Sequence, residues 1–523
     1  MSFVSFAFFV FVGITVLAYY CVPKQYRWTV LLISSGIFYV MAASWLALWI
    51  IFTILTTFFA GLWMEKIHNA QKAALQQAEK AQKKQIRAQF NRKAKRLLVA
   101  VLVCNFGVLA AFKYLNLFSS LAASIAQHLG FAVQAHHFSL IMPLGISFYT
   151  FQAMGYLIDL YRGRVQADRN VLKFALFLSF FPQIVQGPIS RHGELAHQLY
   201  EGNDFEYDNL RRGALLGLFG LFKKLVIADR VAVAVNIIFD QYPTYTGWYL
   251  AFGVLLYSIQ IYCDFSGGVD IAAGVAKMMG ITLPHNFERP YFSRNITEFW
   301  RRWHMTLGGW CRDYIFYPMS LSDWATKLSK KCRKVFGNTY GKMIPVILTQ
   351  TVTFVIIGLW HGAQFMHVAF GLYHGGLVVL AILFEPLFKK MNEKLKINPK
   401  NPIFIGWQML RTFILVVFSR YFARPASFRQ GCSMIVNTFR RSSVPFSLRV
   451  LMSGREWALV ALALVVLFVI SVVQERGVDL SGKIISLSAG KRWIVYIAAT
   501  FFVLLFAAYG IGYDAANFIY MGF

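Results

Sequence analysis

Charge is what this chain has least of. Asp, Glu, Lys and Arg make up 14% of its 523 residues, against roughly 25% in soluble domains, and apolar runs of membrane-crossing length recur along it. A soluble globular protein is thereby excluded. Acidic residues are the scarcer sign, 23 against 52 Lys and Arg, which leaves a net charge of +29. The excess does not point to nucleic acid, because the basic residues cluster in short segments between apolar runs, as in cytoplasmic loops of membrane proteins. Such segments also attract anionic lipid head groups. The six cysteines (Cys21, Cys104, Cys263, Cys311, Cys332, Cys432) include no Cys-x-x-Cys pair, so neither a disulfide framework nor a zinc site is indicated. No P-loop or Rossmann glycine pattern is present, which removes nucleotide hydrolysis and hydride transfer. The internal repeat of many secondary transporters is missing too.

What remains is a succession of spans. Phe3–Tyr20 lacks the basic leader and cleavage site of a signal peptide and reads as a retained first span. Trp28–Val40 with its flanks and Leu46–Trp63 follow. Glu65–Arg96 carries ten Lys or Arg against two Glu, which places it in the cytoplasm and the N-terminus outside. It is helical by composition, and reads either as a topology-setting segment or as a docking arm. Leu97–Tyr114 returns the chain outward. Leu115–His137, with His128, His136 and His137, is expected along the outer interface, its histidines at the surface. Pro143–Tyr161 goes back in.

Beyond it the alternation breaks. Val171–Ile189 is short and interrupted by Phe181-Pro182 and Gly187-Pro188, the mark of a segment that enters the membrane without crossing, where protein or water must satisfy the backbone. Asn209–Arg230 sets Arg211, Arg212, Lys223 and Lys224 in an otherwise apolar helix, read as amphipathic and interfacial. Trp248–Tyr262 ends in Asp264 and Asp270 around Gly267-Gly268, a pair that can hold a cation but more commonly caps a helix, here from Val269; with no third ligand in the sequence, no metal is expected. If Pro290–Pro318 is helical, Arg301 and His304 share one face and Trp300 and Trp303 another. It is then an interfacial anchor, or a place where Arg301, Arg302 and Arg312 draw in a phosphate-bearing donor while His304 faces a cavity.

Lys327–Lys334 and Lys389–Lys400 read as basic loops. Met343–Gly362 between them is an apolar span ending in Gly358-Leu359-Trp360-His361-Gly362. An imidazole at that depth is costly and marks a functional site; it also titrates near neutrality. His367 and His374, seven apart, either line the same cavity or are packed histidines. Pro402–Phe418, Ala458–Val473 and Trp493–Tyr509 are the last spans.

Several motifs in order resemble the membrane-bound O-acyltransferases, in the bacterial branch of the alginate O-acetylation membrane subunit. They are Phe181-Pro182 with Gly187-Pro188-Ile189, Tyr262-Cys263-Asp264-Phe265-Ser266-Gly267, Asn286-Phe287, and Arg289-Pro290-Tyr291-Phe292. Trp300-Arg301-Arg302-Trp303-His304, Arg312-Asp313-Tyr314-Ile315-Phe316-Tyr317-Pro318 and Gly358–Gly362 complete the set. Gly268-Val269 stands where the family more often has Tyr-Ser, and the 65–96 segment is longer than usual. The resemblance implies an all-α polytopic fold, a ring of tilted helices around a funnel with re-entrant and interfacial helices. The core is expected over 1–420, and two further spans over 421–523.

It also implies O-acyl transfer, an acyl group (acetyl in this branch) moving from a cytoplasmic thioester to an extracytoplasmic polysaccharide. The donor is acetyl-CoA or an acyl carrier protein, no cofactor is bound, and a separate extracytoplasmic acetyltransferase is the partner. The setting is a bacterial cytoplasmic membrane. His361 maps onto the family's essential histidine and is expected as general base. His304 is the second, orienting or polarising the thioester; an acyl-histidine is the alternative. Arg301, Arg302 and Arg312 would steer donor phosphates, Trp360, Tyr317 or a backbone N–H near Gly358 would serve the oxyanion, and Trp303 and Asp264 contact substrate. D-alanyl transfer to teichoic acid and a non-enzymatic transporter or export channel are the rivals.

Overall fold

The computed structural model describes residues 2–442, 444–508 and 518–519. Among these residues the chain is helical, and the sole β-type pairing is an isolated bridge between Phe287 and Trp303. Eight helical stretches are long and apolar enough to cross a membrane, among them Lys83–His128, Asp323–His361 and Gly454–Glu475. The chain forms two compact units, one of residues 1–214 with 272–284, the other of 215–271 with 285–523.

In the first unit the Ile146–Tyr161 helix is buried along almost its whole length, Tyr149 and Tyr156 included. The interrupted stretch after it folds as two short helices, Val171–Ser179 and Phe181–Ile184. Protein groups satisfy this broken backbone, as the medium requires. The Phe181 amide donates to Ser35 Oγ (3.1 Å), and Gln183 Nε2 donates to the Phe177 carbonyl (3.1 Å). A carboxylate that the sequence did not single out secures the next segment. Asp168 Oδ2 takes hydrogen bonds from the Tyr200 hydroxyl (2.9 Å) and His192 Nε2 (2.6 Å).

The charged 65–96 segment is helical, as its composition indicates, and is not a separate loop: it forms the ends of two long helices, Ala47–Gln77 and Lys83–His128, which meet at a turn. Gln71 Nε2 joins them through Asn91 Oδ1 (3.1 Å). One expectation fails in this unit, the break at residue 115. Leu115–His128 contains no proline or glycine to stop the helix, so it continues to His128, and Ser119 Oγ then holds the His136 carbonyl (2.7 Å) on the returning chain.

The second unit is organised around a crossing at which two helices nearly touch. A Cβ built on Gly267 would stand 2.8 Å from the Gly220 carbonyl oxygen, and one on Gly220 would stand 2.5 Å from that of Gly267. Gly267-Gly268 is therefore a contact surface, not a helix break, and Trp248–Met278 runs through it unbroken. The same approach corrects two more expectations. Lys223 and Lys224 lie on a π-helical stretch, Phe222–Ala228, and both are buried. Lys224 Nζ pairs with Asp264 (2.7 Å) and Asp229 (2.8 Å). Lys223 Nζ pairs with Asp270 (2.7 Å) and donates to Ser266 Oγ (2.9 Å). The lysines are not an interfacial face, and the aspartates neither cap a helix nor form a cation site. Asp264 and Asp270 have their counter-charges 40 or more residues away, out of reach of spacing arguments.

Elsewhere in this unit Lys327–Lys334 belongs to the Asp323–His361 helix and is not a loop; a non-helical residue, Gly337, interrupts that helix. The basic stretch from Lys389 is helical as far as Lys394. The last spans appear as Pro402–Phe418, Gly454–Glu475 and Ala489–Phe506.

The crossing yields a paired test. Gly267→Ala must push the helices apart and is expected to cost about 1–3 kcal/mol, as overpacking usually does. Gly217, with nothing within 4 Å of where a Cβ would stand, should tolerate alanine and gain up to ~1 kcal/mol of helix propensity. Thermal unfolding of the detergent-solubilised chain reads both, and a Gly267→Ala midpoint equal to wild type would sink the close-contact account.

Candidate active site

Three imidazoles reach one cavity, His304 from a turn and His361 and His367 from the facing ends of two helices. The Ile296–Arg302 helix opens on Asn295, whose side chain accepts from the Glu298 amide (2.9 Å). It ends at Trp303, extended, and His304, in the left-handed region at φ 44° and ψ 53°, before Met305–Cys311 resumes the helix. The expectation of a continuous helix through Arg301, His304 and Gly308 therefore fails. A left-handed histidine costs on the order of 1–2 kcal/mol, and hydrogen bonds from the preceding segment hold it. The Met305 amide donates to the Asn286 carbonyl (2.9 Å), and the Glu288 amide to that of Arg302 (2.9 Å).

The Asn286 side chain fixes the chemistry of His304. Its Oδ1 lies 3.1 Å from the Thr306 amide, 2.8 Å from Thr306 Oγ1 and 3.1 Å from His304 Nδ1. A backbone amide only donates, so the acceptor is the asparagine oxygen, and His304 Nδ1 must carry the ring proton. Nε2 is then the nitrogen with the lone pair. His304 is buried, with Phe265 edge-on at 4.9 Å. It lies in a connection outside the eight spans, and burial pushes its imidazole down to about 3, so it is neutral at physiological pH.

His361 ends the Asp323–His361 helix, which turns back into Phe365–Lys394. The hairpin closes tightly because Gly358 has no side chain; a Cβ there would meet the His367 carbonyl oxygen at 2.4 Å. The His361 ring is half-buried, 4.8 Å from that of Trp360 and 6.4 Å from that of His367. His304, His361, His367, Trp300, Trp303 and Arg420 line a cavity of about 30 Å³, room for on the order of one or two water-sized groups. A larger apolar cavity of about 510 Å³ lies beyond Tyr262 and Tyr291, whose rings each stand 6.3 Å from that of Trp303.

Other expected site residues lie elsewhere. Trp360 is buried against the His304 and His361 imidazoles, its ring 5.8 Å from that of His304, but does not line the cavity. Arg302 is tied to Glu298 (2.8 Å) and Glu475 (2.8 Å), and Glu475 is shared with Arg289 (2.5 Å). Arg301 is exposed, Arg312 is turned outward beside Asp313 (3.0 Å), and Tyr317 is exposed. Asp264 is held by Lys224 and by the Ile519 amide (2.9 Å). Of the two later histidines, His367 reaches the cavity, while His374 is buried against Trp300 (5.0 Å between rings). Sequence reasoning assigned no role to Asn286 and passed over Arg420. The signal for Arg420 was an arginine two residues past the apolar run Pro402–Phe418; for Asn286 there was none beyond its place in a motif.

Membrane-length helices that bring His361 and His367 to a cavity shared with His304 define a polytopic membrane protein with the equipment for acid–base chemistry. The sequence model of the membrane-bound O-acyltransferase family matches residues 165–337. The chain is 32% identical to the probable alginate O-acetylase AlgI of Pseudomonas putida over 432 residues, 80% of this chain and 79% of that one. It is 34% identical over 307 residues to the peptidoglycan O-acetyltransferase of Helicobacter pylori, covering 53% and 54% of the two chains. With the teichoic acid D-alanyltransferase of Bacillus subtilis it shares 32% over 296 residues, 55% of this chain and 70% of the relative. The chain belongs to the membrane-bound O-acyltransferase family and is a multi-pass membrane acyltransferase.

The depressed His304 pKa sets the sign of one pH effect. An imidazole in the unfolded chain titrates near 6.5, so below that pH the unfolded state binds a proton that the folded state refuses. Stability is lost as pH falls from about 6.5 toward 3, by up to ~1.4 kcal/mol per unit. His304→Asn keeps a residue tolerant of the left-handed region and removes the titration. Its thermal midpoint should fall less than that of wild type between pH 7 and pH 5; equal falls would refute the assignment.

Proposed function

We propose that this acyltransferase takes an acetyl group from a cytoplasmic thioester, acetyl-CoA or an acyl carrier protein, and passes it across a bacterial cytoplasmic membrane for O-acetylation of an extracytoplasmic polysaccharide. A separate extracytoplasmic acetyltransferase completes the transfer. The observation that carries the reading is the placing of His361 and His304 on one small cavity. Relatives named for O-acetylation of alginate and peptidoglycan support it.

His361 is the general base. The acceptor hydroxyl oxygen bonds to the thioester carbonyl carbon as its proton passes to His361, and the carbonyl π electrons move onto oxygen. Collapse reforms the carbonyl, breaks the C–S bond and returns the proton to the departing thiolate. A positioned imidazole contributes roughly 10²–10⁴-fold to such a step. His304, neutral and with its proton on Nδ1, suits a positioning role: its lone pair accepts from a hydroxyl or thiol. Polarising the thioester carbonyl would need an N–H at Nε2, which this tautomer lacks.

D-alanyl transfer is the second reading, favoured by the D-alanyltransferase relative. The cavity wall argues for acetyl: it carries the Arg420 guanidinium, which repels the ammonium of a D-alanyl group.

Membranes supplied with labelled acetyl donor test the proposal. His361→Ala should lower acetyl incorporation at least ~100-fold, within the range for loss of a general base, with His304→Ala also impaired. Full incorporation in both variants would reject these roles. Mass spectrometry of the modified polymer decides the group: an acetyl ester is expected, and an alanyl ester would transfer the conclusion to the second reading.

A further inference from the structure

Arg420 is the cavity residue that the acyl-transfer scheme above leaves without a task. It sits on a single helical turn, Ser419–Phe422, directly after the Pro402–Phe418 span, and is 3% exposed. Its Nε donates to Ser258 Oγ (3.3 Å), and its guanidinium lies 5.3 Å from the centre of the Trp303 ring. Among the described residues no carboxylate pairs with it and its Nη2 has no hydrogen-bond partner. The other buried cations of this unit meet carboxylates: Lys223 and Lys224 each reach aspartate at 2.7 Å, and Arg230 lies 3.6 Å from Glu456.

A buried cation without a counter-charge costs several kcal/mol, and an aromatic face returns at most about 2 kcal/mol. Such a group inside a membrane protein marks a site. What compensates it must be anionic and must arise between Arg420 and the imidazoles that share the walls. An oxygen that becomes negative as a hydroxyl adds to a thioester beside the His361 base meets both conditions.

We propose that Arg420 is a catalytic residue of the acyl transfer, binding through its guanidinium the oxyanion of the tetrahedral adduct formed when the acceptor hydroxyl adds to the thioester carbonyl. The inference rests on the acyl-transfer reading given above. Ser258 and Trp303 anchor the guanidinium from behind, so the charge is in place before the reaction and needs no reorganisation during it. The same charge is satisfied only while the adduct exists, so the interaction lowers the barrier without tightening donor binding.

The test measures turnover and KM for labelled acetyl-CoA with the full chain in membranes, at matched protein levels. Arg420→Gln should lower kcat by about 10²–10³-fold, the cost of one lost oxyanion donor, with KM changed less than about threefold, and methylguanidinium should restore part of the rate to Arg420→Ala. A kcat within threefold of wild type overturns the proposal. So does a raised KM at unchanged kcat, which would make Arg420 a binder of donor phosphate. Should Arg420→Gln fail to fold, Ser258→Ala leaves the charge and removes its anchor; it should lower kcat with KM unaltered, and wild-type kinetics there overturn the proposal. His361→Ala separates the two levels of the argument. If it keeps full turnover, the acyl-transfer reading itself falls, whereas its loss alongside an active Arg420→Gln rejects only the role of Arg420.

Discussion

One carbonyl oxygen, Oδ1 of Asn286, holds the turn on which the site depends. It accepts from the Thr306 amide, the Thr306 hydroxyl and His304 Nδ1. The first two bonds stabilise a backbone that a histidine otherwise avoids, and the third decides which ring nitrogen bears the proton. Without them the Trp303–His304 link rests on two backbone hydrogen bonds alone, Met305 to Asn286 and Glu288 to Arg302. Two local facts, a left-handed residue and a tautomer, thus share a cause, and that cause sits outside the helices that carry the site.

The way the second unit treats charge separates its structural groups from its chemical ones. At the Gly220–Gly267 crossing, two lysines are buried with Asp229 and Asp264 while Asp270 is partly exposed, and each lysine reaches carboxylate oxygen within 2.8 Å. Arg302 and Arg289 are likewise answered by Glu475. Pairs of this kind contribute little net stability but are expensive to break, so they lock helices in register. The cavity follows the opposite rule. A neutral His304, a half-buried His361 and an Arg420 without a carboxylate leave positive potential uncompensated where a reacting oxygen would turn negative.

Much of this protein is legible without its tertiary structure, and the reasons differ by feature. The spans are readable because hydrocarbon demands long apolar runs. The broken helices after residue 170 are readable because proline and glycine punctuate an apolar stretch in few ways. His361 stands out as an ionisable group at the end of such a run, and Gly358 beside it proves to be the contact that closes its hairpin. The aspartates around Gly267-Gly268 are legible as charged but not as paired, because a lysine some forty residues away gives no local sign of its direction. Arg302 shows the same limit. Its neighbours suggest a donor-binding patch, and a glutamate 173 residues later takes it instead.

The sequence by itself determined the fold class, the family and the positions of His304 and His361, since hydrophobic run length, helix-breaking residues and ordered motifs are local properties that solvent or lipid reads directly. The tertiary structure alone decided which charges are neutralised and which are kept, the tautomer of His304, and the presence of Arg420 at the cavity wall. Those outcomes depend on distances between segments far apart in the chain. In a low-dielectric interior such a distance, more than the identity of a residue, determines whether its charge is neutralised in packing or left for chemistry.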